Sequence, residues 1–470
     1  MSAFDPNKTA AFDPNRTMVT PADMNRTQAM PAGPGFDPNR TAAITGLVIP
    51  PGVVAEVIPS RTASMANGPS REQFLLEIRA NNTEAPLPGI AANAPRTPLN
   101  LCLVLDRSGS MEGAPLEYAK QACAYVVDLL GPNDVLSIVT FEEMVDLLMP
   151  PQRVTSKEEI KAGINRLTVG NTTNLYDGMA MALAQITQTQ DPGRATRMVV
   201  LSDGDPTAGI KDHHSLVSFA GDIKARGVTI TFLGFGPDYN EELLAGMARK
   251  SGGNYAYIPR PELIPEVFRL EVDRMMNVAA TNLQLDMKLA RWASLRGATG
   301  LTPLPSGPEF TMSLADLERG EVIQTVFDVE FPNHPLGHYR VMGGRLSYTD
   351  AMTGTLVTTE IDFEMEFTAD SARYSVPANP VVTQVAQVAA ASREVEKTIM
   401  GLRTGQFSTT QALGELQKTQ MLLISEGRTQ DAQEVTIAMR ALQGGDTSGA
   451  QKTLMGTVVH LDQGKKSPSP

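Results

Sequence analysis

From about residue 97 to 275 the chain alternates continuous apolar runs with amphipathic segments, and no other stretch restricts its fold so sharply. LCLVL (101–105), VLSIVTF (135–141), MVVLS (198–202) and VTITFLGF (228–235) are too uniformly apolar for strands with one wet face. Such runs suit a parallel sheet covered on both sides. After the first run, Leu116, Ala119, Cys123, Val126, Val127 and Leu130 recur at helical spacing. Further helices are expected around 156–167, from about 175, and near 213–226, 240–250 and 262–275, with a short strand NYAYI at 254–258. Strand and helix in alternation predict a mostly parallel, doubly wound α/β domain over 97–276.

The flanks read differently. Over 46–96, LVIPPGVVAEVIP and FLLEIRA are strand-like but interrupted by proline and glycine, which suggests edge strands. Over 277–373 the period switches to two, through LQLDMKLA, EVIQTVFDVEF, HYRVMGGRLSYTD and TLVTTEIDFEMEF. These runs predict an antiparallel β-sandwich that takes in the earlier strands, with the lone Trp292 in its core. From 376 to 463 the pattern is helical and broken at Gly401, Gly405, Gly427 and Gly444–Gly445, enough for three or four helices in a bundle. The tail, 464–470, is expected to fray. Residues 1–45 are rich in Pro, Asn, Thr, Ala and Gly; too little apolar surface is available there to offset the entropy of ordering, so disorder is expected.

Charge and composition exclude several functions. A net charge of −12 argues against nucleic acid, whose phosphates need clustered Lys and Arg. No apolar run reaches the ~20 residues of a membrane-spanning helix, and MSAFDPNKTA has neither the basic nor the apolar part of a signal peptide. The two cysteines, Cys102 and Cys123, fall in apolar patterns and read as reduced core thiols. His213, His214, His334, His338 and His460 show no metal-ligand spacing. A cytoplasmic protein is the expectation.

One cluster carries chemistry. LCLVLDRSGSM ends a buried strand with Asp106, Ser108 and Ser110, at the carboxyl end where open α/β sheets place their ligands. A carboxylate and two hydroxyls at i, i+2 and i+4 of a tight loop offer hard oxygens, the donors Mg²⁺ prefers. TTNLYDG (172–178) sets Thr173 at the start of a later helix, and LSDGDPT (201–207) sets Asp203 at the end of another buried strand. With these three pieces in this order, the stretch 97–275 resembles the von Willebrand factor type A domain with its metal-ion-dependent adhesion site. The resemblance implies a doubly wound, Rossmann-like fold. It also implies that Ser108, Ser110 and Thr173 give hydroxyl oxygens to Mg²⁺ (or Mn²⁺ or Ca²⁺), while Asp106 and Asp203 act mainly through bound waters. The open position would take a Glu or Asp from a protein partner. DGDPT (203–207) also matches D-x-D-x-T, the opening motif of haloacid-dehalogenase-like phosphatases, with Asp203 as nucleophile and Asp205 as acid. That reading leaves DRSGS and TTN unexplained, and other enzyme motifs are not evident. Glu142 and Glu143 read as a solvated loop.

The N-terminal segment repeats a phrase: FDPNKT at 4–9, FDPNRT at 12–17 and 36–41, and a blurred ADMNRT at 22–27. Thr9, Thr17, Thr27 and Thr41 each follow Asn and a basic residue, and Phe12, Thr20, Met30 and Ile44 stand three places after them. Anchors at fixed offsets suit an extended peptide docking in a groove. The pattern is similar to phosphothreonine ligands of forkhead-associated domains, with the basic residue as a handle for a Ser/Thr kinase. The whole chain is therefore expected to be a multidomain α/β, non-enzymatic scaffold. Its metal site would grip one protein, and its phosphorylated tail would recruit another. A surface adhesin using the same metal site is the main alternative, and a phosphatase the lesser one.

Overall fold

The computed structural model describes residues 52–80, 96–236, 239–301 and 304–466. Thr9, Thr17, Thr27 and Thr41 lie outside these residues. Three strands come first: β1 (Val53–Pro59), β2 (Ala63–Met65) and β3 (Ser70–Ala80). The α/β unit follows as β4 (Leu99–Asp106), α1 (Ala114–Leu129), β5 (Val135–Phe141), β6 (Val145–Arg153), α2 (Lys157–Asn165) and α3 (Leu175–Ile186). It continues through β7 (Ala195–Ser202), α4 (His213–Ala225), β8 (Thr229–Phe235), α5 (Glu241–Ser251), β9 (Tyr255–Ile258) and α6 (Ile264–Met276).

The sheet of this unit runs β6-β5-β4-β7-β8-β9. Its strands are parallel except β6, which pairs antiparallel with β5. Every residue of β4, β5, β7 and β8 is buried, which is why they read as unbroken apolar runs. Alternate residues face opposite layers. Val104, Val139, Val200 and Phe232 pack with α3, α4 and α5, whereas Leu103, Ile138, Val199 and Leu201 pack with α1, α2 and α6. Cys102 and Cys123 are buried free thiols, and burial pushes both up to about 12, so neither is a ready nucleophile. The chain leaves β4 for β5 on one side and returns to β7 on the other. The carboxyl end of β4 is thus the switch point of the sheet. Apolar periodicity does not predict β6, because Pro150 and Pro151 interrupt it; an edge strand tolerates them.

Two further sheets face each other beyond α6. Their strands are β10 (Val278–Leu289), β11 (Ser294–Ala298), β12 (Glu309–Ser313), β13 (Leu317–Glu318), β14 (Val322–Phe331), β15 (Gly337–Asp350) and β16 (Leu356–Thr368). One sheet has the order β1-β3-β14-β11, and the other β12-β10-β15-β16-β2, with β13 on β10. The early strands do join this sandwich, but they are not all edges. β3 lies between β1 and β14 and pairs along its whole length with Val322–Phe331, as its unbroken run without proline permits. Phe74, Phe327 and Phe363 form the aromatic centre, with edge-on ring contacts at 5.7 and 5.5 Å. Trp292 packs against the same core and stacks on His334 with 3.9 Å between ring centroids.

After the short α7 (Ser371–Tyr374), four helices complete the fold: α8 (Pro380–Arg403), α9 (Thr409–Ser425), α10 (Thr429–Gln443) and α11 (Thr447–Asp462). They share one core with the α3–α5 face of the α/β unit. Helix α11 lies against α5 and β9, and Lys452, almost fully buried there, donates to Tyr239 O (2.8 Å) and Glu241 Oε2 (3.0 Å). The chain beyond α11 does not fray at once. Lys465–Lys466 form β17 on Val322–Ile323, and the Lys465 ammonium is buried 3.0 Å from Glu318. A lysine with that partner is an anchor, which corrects the expectation of a loose tail from 464. A second anchor ties the sandwich to the α/β unit: Asp316, just before β13, pairs with Arg197 of β7 (2.8 Å) and Lys224 of α4 (3.6 Å).

Candidate functional site

Asp106 ends β4 with no exposed surface. Its Oδ1 accepts the backbone N–H of Ser108 (2.9 Å) and its Oδ2 the hydroxyl of Ser202 (2.7 Å). Burial pushes this carboxyl up to about 7, against the hydrogen bonds of Ser108, and the nearby charge of Asp203 adds to the rise. The bond from Ser108 N closes the loop tightly enough to turn the next hydroxyls back over the strand end. Ser108 Oγ and Ser110 Oγ are 3.1 Å apart, and Ser110 donates to Asp203 Oδ1 at 2.8 Å, with Ser108 Oγ 3.4 Å from the same oxygen. Asp203 follows β7, the strand beside β4. Two adjacent parallel strands therefore deliver Asp106, Ser108, Ser110 and Asp203 to one spot.

Thr173 reaches the same place from the start of α3. Its carbonyl accepts Thr207 N (2.9 Å) and Ala208 N (3.2 Å), and its own N–H donates to Thr207 Oγ1 (2.9 Å). The loop after Asp203 is thus stitched to the start of α3, and a Cβ placed on Gly204 would sit 3.5 Å from Thr173 Oγ1. Next to it Asn174 caps α3, accepting from Asp177 N (3.3 Å). Gly209, at φ +67°, passes so close to Asn174 that a Cβ there would stand 2.2 Å from Oδ1, so this turn needs glycine for both shape and space.

Three supporting residues are not marked by sequence pattern. Ser202 and Thr207 hold Asp106 and Thr173, yet small hydroxyls beside a motif carry no distinguishing signal. Glu142 is not the solvated loop residue expected. Its carbonyl accepts Asn174 N (2.9 Å) and its Oε2 accepts Asn171 N (3.1 Å). The N–H groups of Glu143 and Asn171 hold its carboxyl below the usual range, helped by Arg107. Arg107 turns away from Asp106, toward Glu142 (3.3 Å) and Asp146 (2.6 Å).

The donor set fits a hard divalent cation. Among the described residues no three His, Cys, Asp or Glu side chains gather into a cation site. An ion here would rely on two carboxylates and neutral hydroxyls, an all-oxygen set of the kind Mg²⁺ accepts. One further buried hydroxyl, Thr172 Oγ1, has no hydrogen-bond partner among the described residues. Asp205, the second acid of the phosphatase motif, is exposed, and the serines bond to Asp203.

A family model for the von Willebrand factor type A domain matches residues 100–269. Residues 100–269 form a von Willebrand factor type A domain. An uncharacterized protein of Synechocystis sp. is 34% identical over 201 residues, which cover 43% of this chain and 47% of that protein. Inter-alpha-trypsin inhibitor heavy chain H4 of Homo sapiens is 24% identical over 270 residues, covering 50% of this chain and 29% of that one. The similarity thus spans less than half the length of these relatives. Among solved structures, a von Willebrand factor type A protein from Catenulispora acidiphila superposes with a TM-score of 0.65 at 16% identity, over 82% of this chain and 89% of that one. The ArnB paralog VWA2 from Sulfolobus acidocaldarius gives 0.62 at 15% identity, over 87% and 98%. At such identities the likeness is one of fold, and it extends well past the type A domain itself. Among the described residues no helix is long and apolar enough to cross a membrane.

Proposed function

We propose that this chain is a Mg²⁺-dependent protein-binding scaffold without catalytic activity of its own. The observation that carries the reading is the convergence of Ser108 Oγ, Ser110 Oγ and Asp203 Oδ1, all within 3.4 Å, at the carboxyl ends of adjacent strands. Ser108, Ser110 and Thr173 would offer neutral oxygens to the ion, and Asp106 and Asp203 the balancing charge. A bound Mg²⁺ would supply an electrophilic position for a carboxylate from the partner. Ser202 and Thr207 keep the acceptors aligned before any ion arrives, so little ordering cost falls on binding. The relatives above support an interaction role, and buried free thiols agree with a reducing, cytoplasmic setting. Titration calorimetry of the full chain should show Mg²⁺ uptake that the Ser108→Ala, Ser110→Ala double variant loses with an unchanged melting curve. Equal uptake by the two proteins would discard the site.

The second arm of the scaffold is the N-terminal repeat segment. A phosphate on Thr9, Thr17, Thr27 or Thr41 adds about −1.5 to −2 charges and three acceptor oxygens, which a forkhead-associated domain can read. Several sites on one tether raise effective concentration without new contacts. After treatment with a Ser/Thr kinase the chain should bind such a domain, and changing all four threonines to alanine should abolish this. Binding that survives those changes would refute it.

A further inference from the structure

The repeats contain a second feature besides threonine. Asp5, Asp13, Asp23 and Asp37 keep their place in all four copies, even in ADMNRT, where Phe and Pro are lost. Each is followed three residues later by Lys8, Arg16, Arg26 or Arg40. The chain therefore carries four copies of a carboxylate with a cation at a fixed offset, and Phe4, Phe12 and Phe36 precede three of them.

The rim of the candidate metal site is the complement of that phrase. Its loops are tied together by backbone bonds from Gly109 to Asn171, Gly170 to Arg107, and Thr207 to Thr173. Among the described residues they expose the acids Glu112, Glu143, Asp205 and Asp212, and the cations Arg166 and Lys211. They also expose two large apolar side chains, Met144 (67%) and Ile210 (41%), on the loops either side of the start of α3. A rim with this charge disfavours an acidic stretch. It suits a single carboxylate with an apolar neighbour and a nearby cation.

Reach permits the contact within one molecule. The tail enters the fold at Gly52, which packs on Asp350; nearby Gly354 lies against Pro192–Gly193, just before β7 begins. The candidate site is at the other end of the sheet. The eight residues of β4 span about 26 Å, and the 15 residues from Asp37 to Gly52 can extend to about 50 Å.

We propose that the aspartates of the FDPN[RK]T repeats are ligands of the type A domain of their own chain, each able to fill the open position at the metal. The proposal rests on the metal reading above. It also gives the threonine a second role. A phosphate four residues beyond the docked aspartate would add negative charge to a rim that already exposes Glu112, Glu143 and Asp205, so phosphorylation would weaken docking of the repeat as it creates the ligand for the other partner.

The test uses the full chain and a variant with Asp5→Asn, Asp13→Asn, Asp23→Asn and Asp37→Asn, all outside the described fold. The probe is a fluorescent peptide of residues 10–20, AAFDPNRTMVT, followed by anisotropy in excess Mg²⁺. The variant should bind the peptide about tenfold more tightly than the unchanged chain, whose tethered copies compete at high effective concentration. EDTA or Asp13→Asn in the peptide should abolish binding. Equal affinity for the two chains, or binding that persists in EDTA, overturns the proposal. Calorimetry on the same proteins separates the two readings. Without Mg²⁺ uptake the metal reading falls and takes this one with it, whereas Mg²⁺ uptake without peptide binding to the variant overturns only the tail assignment. Concentration-dependent dimers that vanish in the variant would make the occupant a second copy, and would overturn binding within one chain.

Discussion

Asp316 is almost fully enclosed where the sandwich meets the α/β unit. Burial alone would raise its pKa, but Arg197 at 2.8 Å and Lys224 at 3.6 Å outweigh that and bring it to about 2. Thr229 Oγ1 (2.9 Å) and Asn282 N (3.2 Å) fill its remaining acceptor positions. Because the folded value lies below the ordinary one, the group stabilises the fold above about pH 3.8, and loses that contribution as pH falls toward 2. The difference corresponds to about 2 kcal/mol. Asp316→Ala should cost more, about 3–5 kcal/mol, because Arg197 is left buried without its counter-charge. Urea unfolding at pH 7 measures the loss, and in the variant the acid limb between pH 4 and 2 should flatten. Nothing in the local sequence LADLERG marks this aspartate, because its partners come from β7 and α4, about a hundred residues earlier. Asp106, Ser108, Ser110 and Asp203 are different. A tight loop at the end of an apolar strand is a local pattern, and these four residues stand out in the sequence alone. Ser202, Thr207 and Glu142 act through non-local bonds, and so leave no such mark.

Elements are legible where their period is clean. β4, β5, β7 and β8 announce themselves through burial on both faces, and α1 through its apolar stripe. β6 does not, since its prolines mimic a loop. β3 reads as an edge only when the prolines and glycines around it are allowed to speak for a run that contains none. Pairing between helices is also beyond local pattern. His460 of α11 places Nδ1 2.6 Å from Asp431 Oδ1 of α10. Burial would depress the imidazole, but Asp431 first, with Glu434 behind it, holds it above 6.5. This raised value means the pair stabilises the α10–α11 contact fully below about pH 6.5, and the contribution fades as pH climbs through the folded value. The urea midpoint should therefore fall on going from pH 6 to alkaline solution, and His460→Gln should remove that slope. A variant whose slope matches the parent would show that the pair is energetically silent.

At the scale of the whole molecule, the candidate site stands at the carboxyl end of the central sheet, while Asp316 joins the sandwich to the strands near their other end. Helices α8–α11 pack against the side, over α5 and β9. Among the described residues, neither the sandwich nor the helical end lies over the carboxyl ends of β4 and β7. This division also lays the last helix along the outer strand of the sheet. β9 is an edge strand, and α11 approaches so closely that a Cβ on Gly456 would lie 3.6 Å from Tyr255 O. During synthesis the strand leaves the ribosome roughly 200 residues before its cover does, and at about 5–20 residues per second that gap lasts ~10–40 s. For that interval the outer edge of this four-residue strand would lack its helical cover in each nascent chain. Chains halted before α11 would keep that edge open permanently, and would tend to stack strand to strand.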